Sequence, residues 1–265
     1  MTEKFMHRIL RFRNQLSFSP LLARYWTSRP FFNQPVELWG LPFRNPLGIA
    51  GMDPEGRYAE ALSDCGFGFV VSGPFFPETG NEHILKAIRG LQHKGSVPVA
   101  AALSKRPGDV DDNLVLNDYL VPFSLLYDFV DFFIVEMEAP QIDAISEILD
   151  ELVSLRLCYE HFRPILLRIP AKTPPDELEG ILSFCMLSGI DGIAAEGASL
   201  VRQVVGHVSG RLPVAGVAQA MTPEQALELR EAGAVLFITD GGFARQGWKA
   251  PARIMKVLKN TPQQQ

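Results

Sequence analysis

Short apolar runs alternate with longer amphipathic stretches along most of the chain. Eight of the runs are almost uninterrupted by polar residues, and they lie at 47–50, 68–72, 97–103, 132–138, 165–169, 192–196, 214–218 and 236–240. Such continuous apolar character is typical of parallel strands that are buried on both faces. The stretches between them have helical periodicity and predict helices near 56–65, 82–94, 114–129, 141–157, 175–188, 199–208, 222–232 and 250–259.

The strict alternation of strand and helix sets the expected fold class. Eight βα units predict an α/β protein in which a parallel sheet closes into a (β/α)8 TIM barrel. An open sheet covered by helices is the alternative architecture. The length of 265 residues agrees with a single barrel, for which roughly 250 residues are usual.

The sequence divides into three regions of different character. Residues 1–34 are predicted to form a basic amphipathic helical segment, and residues 35–260 the barrel. Within the barrel region, residues 36–44 predict a hairpin that plugs or flanks the N-terminal end of the barrel. Residues 261–265 have the polar composition of a disordered tail.

Charge and composition narrow the classes of partner and compartment. The chain has a net charge of −5, although residues 1–34 contain six basic residues and one acidic residue. An acidic body argues against a nucleic-acid partner. No apolar run is long enough to span a membrane and no signal peptide begins the sequence, so we expect a cytoplasmic protein. Residues 3–27 interleave arginines with large apolar residues, which favours either peripheral contact with a membrane or a helical cap over the barrel.

Charged residues fall where the predicted strands end, and these positions meet at the mouth of a barrel. The acidic ones are Asp53, Glu136, Glu138, Glu196 and Asp240, and the basic ones are Lys105 and Arg168. The acids either bind a cation or pair with the two basic residues. Because buried charges are rarely left unpaired, we predict a salt bridge from Arg168 to Glu136 or Glu196, and we assign no metal site.

Several segments resemble one enzyme family in the same order along the chain. They are Val36-Glu-Leu-Trp-Gly-Leu-Pro-Phe-Arg-Asn-Pro-Leu-Gly-Ile-Ala50, Gly66-Phe-Gly-Phe-Val-Val-Ser-Gly73, Gly189-Ile-Asp-Gly-Ile193 and Gly210-Arg-Leu-Pro-Val-Ala-Gly-Val217. This series resembles class 2 dihydroorotate dehydrogenases from about residue 8 to residue 258. The resemblance implies FMN at the C-terminal mouth of the barrel, oxidation of dihydroorotate, transfer of electrons to a quinone, and membrane docking by the N-terminal region.

The chain departs from the family pattern at most positions that handle flavin and substrate. Pro54 stands where the family has a lysine beside flavin and substrate, and Ala139 stands where class 2 members have the serine base. Arg168 replaces a lysine that contacts the flavin. The orotate-holding segment Asn-Arg-Met-Gly-Phe-Asn-Asn is absent after the second strand. The third strand's Asn-Ile-Gly-Lys is Ala102-Leu-Ser-Lys105, so that only its lysine remains.

The phosphate end of the family's FMN site is altered in the same way. The loop Gly-Val-Gly-Gly is Gly216-Val-Ala-Gln219 here, and Tyr-Thr/Ser-Gly of the last strand is Asp240-Gly-Gly242. Gly216, Gly241 and Gly242 are the candidate phosphate-binding residues, because barrels often hold phosphate on backbone amides after strands seven and eight. A carboxylate at Asp240 would repel a phosphate dianion, so FMN is the cofactor that the family implies but not one that this site favours.

Ala139 has no proton acceptor, and no catalytic residue is assigned. We therefore expect a dihydroorotate dehydrogenase-like protein without dihydroorotate oxidation, which acts as a binding or regulatory module for an unknown small molecule or protein. The alternative is an enzyme: an FMN-dependent oxidoreductase with an altered substrate, or a barrel that acts on a phosphorylated metabolite.

Overall fold

A computed structural model describes residues 33–108, 112–137, 142–240 and 249–260. The predicted helical segment 1–34, apart from its last two residues, lies outside these ranges, as do Glu138, Ala139, Gly241, Gly242 and the tail 261–265. Within the described residues, eight parallel strands close into a barrel, which confirms the predicted (β/α)8 fold class. The barrel strands are β3 (Leu47–Ala50), β4 (Phe69–Phe75), β5 (Val99–Ser104), β6 (Phe132–Glu136), β7 (Ile165–Ile169), β8 (Gly192–Glu196), β9 (Val214–Ala218) and β10 (Leu236–Thr239).

Helices follow the strands in the predicted order, and their bounds differ from the predicted ones by a few residues at most. They are α1 (Ala59–Asp64), α2 (Glu82–Leu91), α3 (Asp112–Leu126), α4 (Ile142–Arg156), α5 (Pro175–Cys185), α6 (Ala198–Val208), α7 (Pro223–Glu231) and α8 (Ala250–Asn260). The start of α7 follows the signal in the sequence, because the Thr222 hydroxyl accepts a hydrogen bond from the Gln225 amide and Pro223 occupies the first helical position. None of the helices in the described ranges is long and apolar enough to cross a membrane.

The predicted hairpin is present and closes the N-terminal end of the barrel. Its antiparallel strands are β1 (Val36–Leu38) and β2 (Leu41–Phe43), joined at Trp39 and Gly40, both of which have positive φ. Phe43 packs edge-on against Phe69 at a centroid distance of 5.4 Å, and Phe69 begins β4. The Trp39 indole donates a hydrogen bond of 2.8 Å to the carbonyl of Asp191, just ahead of β8. Aromatic rings from the hairpin thus fill the lower part of the barrel and leave the C-terminal mouth to other residues.

Small residues inside the barrel make room for these rings. A Cβ atom on Gly48 would lie 2.2 Å from the Phe69 ring, so a side chain there would collide with it. Ala100, Ala102 and Ala194 belong to the same interior cluster as Phe69. A second cluster joins the outward faces of the strands to the helices. The interior is therefore packed with apolar groups up to the level where the charged residues begin.

Candidate functional site

The mouth of the barrel holds an open cavity of about 950 Å³ above the C-terminal ends of β4 to β8. We refer to it as the mouth cavity. Its wall includes apolar residues such as Phe76, Leu116 and Tyr119. Its charged lining residues are Lys105, Arg106, Glu136, Asp143, Glu147, Arg168 and Glu196. A concave site of this size at the C-terminal face is where barrel enzymes and binding proteins place their ligands.

Three of the predicted charged residues meet in one ion-pair network on the floor of the mouth cavity. Arg168 donates from Nη1 to Oε1 of Glu136 at 2.6 Å, and from Nη2 to Oε1 of Glu196. We call Glu136, Arg168 and Glu196 the mouth triad. The prediction of a salt bridge from Arg168 to Glu136 or Glu196 is confirmed, and the guanidinium in fact pairs with both carboxylates.

Strand register brings the mouth triad together. Glu136 and Arg168 are register partners on the adjacent strands β6 and β7, and Glu196 ends the next strand, β8. Ile134, Leu166 and Ala194 lie two positions earlier on the same strands and belong to the interior cluster. Because side chains alternate along a strand, the three charged residues point into the barrel like the apolar residues beneath them.

The mouth triad is more than two-thirds buried, with 24 to 29% of each side chain exposed. Burial alone would lower the pKa of Arg168, but the attraction of Glu136 and Glu196 outweighs it and holds the pKa above its ordinary value. The guanidinium therefore stays charged. One cation faces two carboxylates, so the mouth triad has a net charge of −1 when both glutamates are ionised.

Each glutamate retains an acceptor oxygen beyond its bond to Arg168. Oε2 of Glu196 accepts only a long hydrogen bond of 3.4 Å from the exposed amide of Ala171. Oε2 of Glu136 accepts none from any residue that the structure describes. The backbone of Glu136 is fixed separately, because the Tyr119 hydroxyl on α3 donates to its carbonyl at 3.2 Å. The floor of the mouth cavity can thus accept further hydrogen bonds.

Lys105 lies at the β5 side of the mouth cavity and is exposed. Its neighbour Arg106 is held by Asp118 on α3, a fully buried residue. The carboxylate of Asp118 accepts from the Arg106 backbone amide at 3.0 Å and from its Nε at 2.7 Å. These bonds anchor the loop that carries Lys105. No sequence motif marked Asp118, which sits in the middle of a helix, so its partner became visible only in three dimensions.

Asp53 was a pocket candidate, but the structure gives it a different place. It is 1% exposed, does not line the mouth cavity, and accepts hydrogen bonds of 2.8 Å from the amides of Arg57 and Tyr58. Those amides precede α1, so Asp53 closes the loop between β3 and α1. Burial raises the pKa of Asp53 to about 6, although the two amides act in the opposite direction.

The phosphate-site candidates lie at the other side of the mouth. Gly216 is inside β9, where a Cβ atom would lie 2.8 Å from the Leu229 side chain on α7, so close packing of strand and helix accounts for this glycine. Asp240 follows β10, and its Oδ1 accepts a hydrogen bond of 2.8 Å from the amide of Ala220. The Asp240 carboxylate thus accepts a hydrogen bond from a backbone amide of the loop after β9.

Metal binding finds no support in the described part of the chain. No group of three or more histidine, cysteine, aspartate or glutamate side chains there has the arrangement that could hold an ion. Arg168 lies between Glu136 and Glu196, where a metal bridging the two carboxylates would have to sit. The position of Arg168 agrees with the expectation that the acids pair with arginine.

Comparison with known proteins points to one family. No family model matches the chain. The chain is 26% identical to a dihydroorotate dehydrogenase (quinone) of Salinispora arenicola, across 94% of this chain and 90% of that protein. It is 27% identical to the protein of the same name from Vibrio parahaemolyticus, across 86% and 87%. Among solved structures, a ligand-free DHODH from Eimeria tenella superposes with a TM-score of 0.75 at 15% identity and covers 91% of this chain and 94% of that one.

The fold and the mouth define a (β/α)8-barrel protein whose C-terminal face carries a charged cavity. Within that class, the chain is similar to the quinone dihydroorotate dehydrogenases, at 25 to 26% identity over most of its length. The alignment with the Salinispora protein extends over 310 positions, whereas the whole chain has 265 residues, so that relative contains residues that this chain lacks.

Proposed function

We propose that this protein is a dihydroorotate dehydrogenase-like barrel that does not oxidise dihydroorotate and acts as a binding or regulatory module. The observation that carries the proposal is the mouth triad. Arg168 is bound on both sides by carboxylates, and the three side chains occupy the floor of the mouth, where the resemblance to the family implies a flavin. Neutral amides and hydroxyls would suit a flavin ring there, whereas a charged network resists being displaced by one.

The loop after β9 supports the same proposal. A phosphate on backbone amides needs those amides free, but the Ala220 amide already donates to Asp240. A phosphate dianion placed beside the Asp240 carboxylate would also meet a like charge within a few ångströms. The described residues therefore do not fit FMN at either end of the site, and no step of a flavin reaction is derived for this protein.

The residue types at the mouth argue further against the family reaction. Removal of a proton from dihydroorotate needs a base within hydrogen-bond reach, and loss of such a base typically costs 10²- to 10⁴-fold in rate. The serine that serves as base in class 2 members corresponds to Ala139, which lies outside the described residues. Glu136 and Glu196 each commit one carboxylate oxygen to Arg168.

The test is to purify the full chain and measure its flavin content, its uptake of added FMN and its dihydroorotate:quinone turnover. The Vibrio parahaemolyticus relative, handled in parallel, is the positive control for all three measurements. We expect a colourless protein, no saturable FMN binding and no turnover. Yellow protein that retains FMN through gel filtration would overturn the proposal and favour an FMN-dependent oxidoreductase with an altered substrate.

A matched variant sharpens the test. Asp240→Ser removes the carboxylate that holds the Ala220 amide, and it should raise the affinity for FMN if Asp240 excludes the phosphate. Glu231→Gln, at the exposed C-terminal end of α7, removes the same charge on the opposite side of the barrel from the mouth and should have no effect. Equal FMN affinity in the wild type and in both variants would contradict a role of Asp240 in excluding phosphate.

A further inference from the structure

The mouth cavity has unbalanced charges of opposite sign at its two ends. At the β6–β8 end, the mouth triad contains two carboxylates against one guanidinium. At the β5 end, Lys105 is exposed and makes no ion pair with any of the described residues. Asp143 and Glu147 on α4 add two exposed carboxylates to the outer wall. The cavity is thus acidic along its floor and outer wall and basic at one end.

The fold keeps these charges apart. Ser104, just before Lys105, is the register partner of Glu136, yet the lysine ammonium is outside salt-bridge distance of both Glu136 and Glu196. The chain turns away at Arg106, whose amide and side chain are fixed on Asp118 in α3. The anchor fixes the backbone beside Lys105, and in the structure the lysine stays at the β5 side of the cavity. Charges held apart across a cavity are available to a ligand that has both signs.

The acceptor oxygens define where the positive end of such a ligand would bind. Oε2 of Glu196 has only the 3.4 Å bond from Ala171, and Oε2 of Glu136 has no hydrogen-bond partner among the described residues. An ammonium group has three donors and can satisfy both oxygens. A carboxylate at the far end of the same molecule would accept from Lys105. The volume of about 950 Å³ is ample for a small organic molecule.

We propose that the mouth cavity binds a zwitterionic small molecule of the amino-acid class, with its ammonium group at Glu136 and Glu196 and its carboxylate at Lys105. This inference rests on the proposed function, because a mouth that held FMN would not leave this volume open. Neither a diacid nor a diamine matches both ends. A diacid would face the floor carboxylates, and a diamine would face Lys105.

The experiment measures binding of linear ω-amino acids of three to six carbons to the full chain by calorimetry. The diamine and the dicarboxylate of equal length serve as matched probes. We expect at least one ω-amino acid to bind more tightly than both of its matched probes. Lys105→Met should weaken that ω-amino acid about tenfold, the scale of one charge-assisted hydrogen bond, and should leave the diamine unchanged or tighter. Lys259→Met, which removes an exposed lysine in the last turn of α8, is the charge-matched control and should not change ω-amino acid binding.

The outcomes separate this inference from the proposed function. Failure of every ω-amino acid to bind, or equal binding to wild type and Lys105→Met, would overturn the zwitterion site while the protein stays colourless and without turnover. Tighter binding of the dicarboxylate or the diamine would also overturn it. Retention of FMN would instead overturn the proposed function, whatever the probes do.

Discussion

Nη1 of Arg168 lies 2.6 Å from Oε1 of Glu136, and the two residues are register partners on adjacent strands of the barrel. A second carboxylate, that of Glu196, binds the other terminal nitrogen of the same guanidinium. The planar guanidinium of arginine has several donors and can bind carboxylates from both neighbouring strands at once. A lysine ammonium is a single point charge and is less suited to this arrangement. This network forms the floor of the mouth, and the cavity above it is open.

Arg168→Ala should destabilise the fold, because it leaves two carboxylates close together without a cation. Breaking a buried ion pair by removing one partner typically costs 3–5 kcal/mol, and the partial exposure of the mouth triad reduces the expected loss to about 2–3 kcal/mol in free energy of unfolding. Urea denaturation measures this loss. The triple variant Glu136→Gln, Arg168→Met, Glu196→Gln removes all three charges and should be more stable than Arg168→Ala. The idea is contradicted if the two variants are equally destabilised.

Asp53 should make stability depend on pH between about 4 and 6. Its pKa is raised from 3.8 to about 6 in the folded protein, so the folded state binds a proton more tightly than the unfolded state. The contribution of this group to stability is full below pH 4 and is lost as the pH rises through about 6. The loss is about 3 kcal/mol at most, from a shift of roughly two pKa units. Urea unfolding gives the free energy of unfolding of the wild type and of Asp53→Asn at each pH in this range. Plotted against pH, the two free energies should have different slopes, and parallel plots would count against the prediction.

The anchor between Arg106 and Asp118 should be asymmetric in its response to substitution. Arg106→Met leaves the fully buried carboxylate of Asp118 without its cation, whereas Asp118→Asn leaves an arginine that can turn towards solvent. We therefore expect the thermal midpoint to fall further for Arg106→Met than for Asp118→Asn. Differential scanning calorimetry checks the order. If Asp118→Asn lowers the midpoint further, then leaving the buried Asp118 carboxylate without its cation is not the larger cost.

Residues 3–27 lie outside the described residues, so the choice between peripheral membrane contact and a helical cap over the barrel stays open. Sedimentation with anionic vesicles tests it directly. If the segment contacts membranes, the full chain should sediment at low salt and less so at high salt, because basic residues near an anionic surface act through screened attraction. A variant in which Arg8, Arg11 and Arg13 are replaced by glutamine should stay in the supernatant. If it sediments like the wild type, the segment is better explained as a cap on the barrel.

The sequence by itself determined the architecture of this protein. Runs such as 165–169, 192–196 and 214–218 coincide with β7, β8 and β9, because a strand buried on both faces must be apolar along its whole length. The ion pair of Arg168 was also predictable, since charged residues at the ends of neighbouring barrel strands point into one small volume and must be balanced there.

Tertiary structure alone decided which carboxylates have which partner. Asp53 looked like a residue of the mouth because it follows the first barrel strand, but a loop of a few residues turned it inward to cap the amides of Arg57 and Tyr58. Asp118 looked like any polar residue of a helix, and it proved to anchor Arg106 from 12 residues away. Hydrophobic periodicity records which face of an element is buried, whereas the direction of a loop depends on hydrogen bonds between residues distant along the chain, which no local pattern encodes.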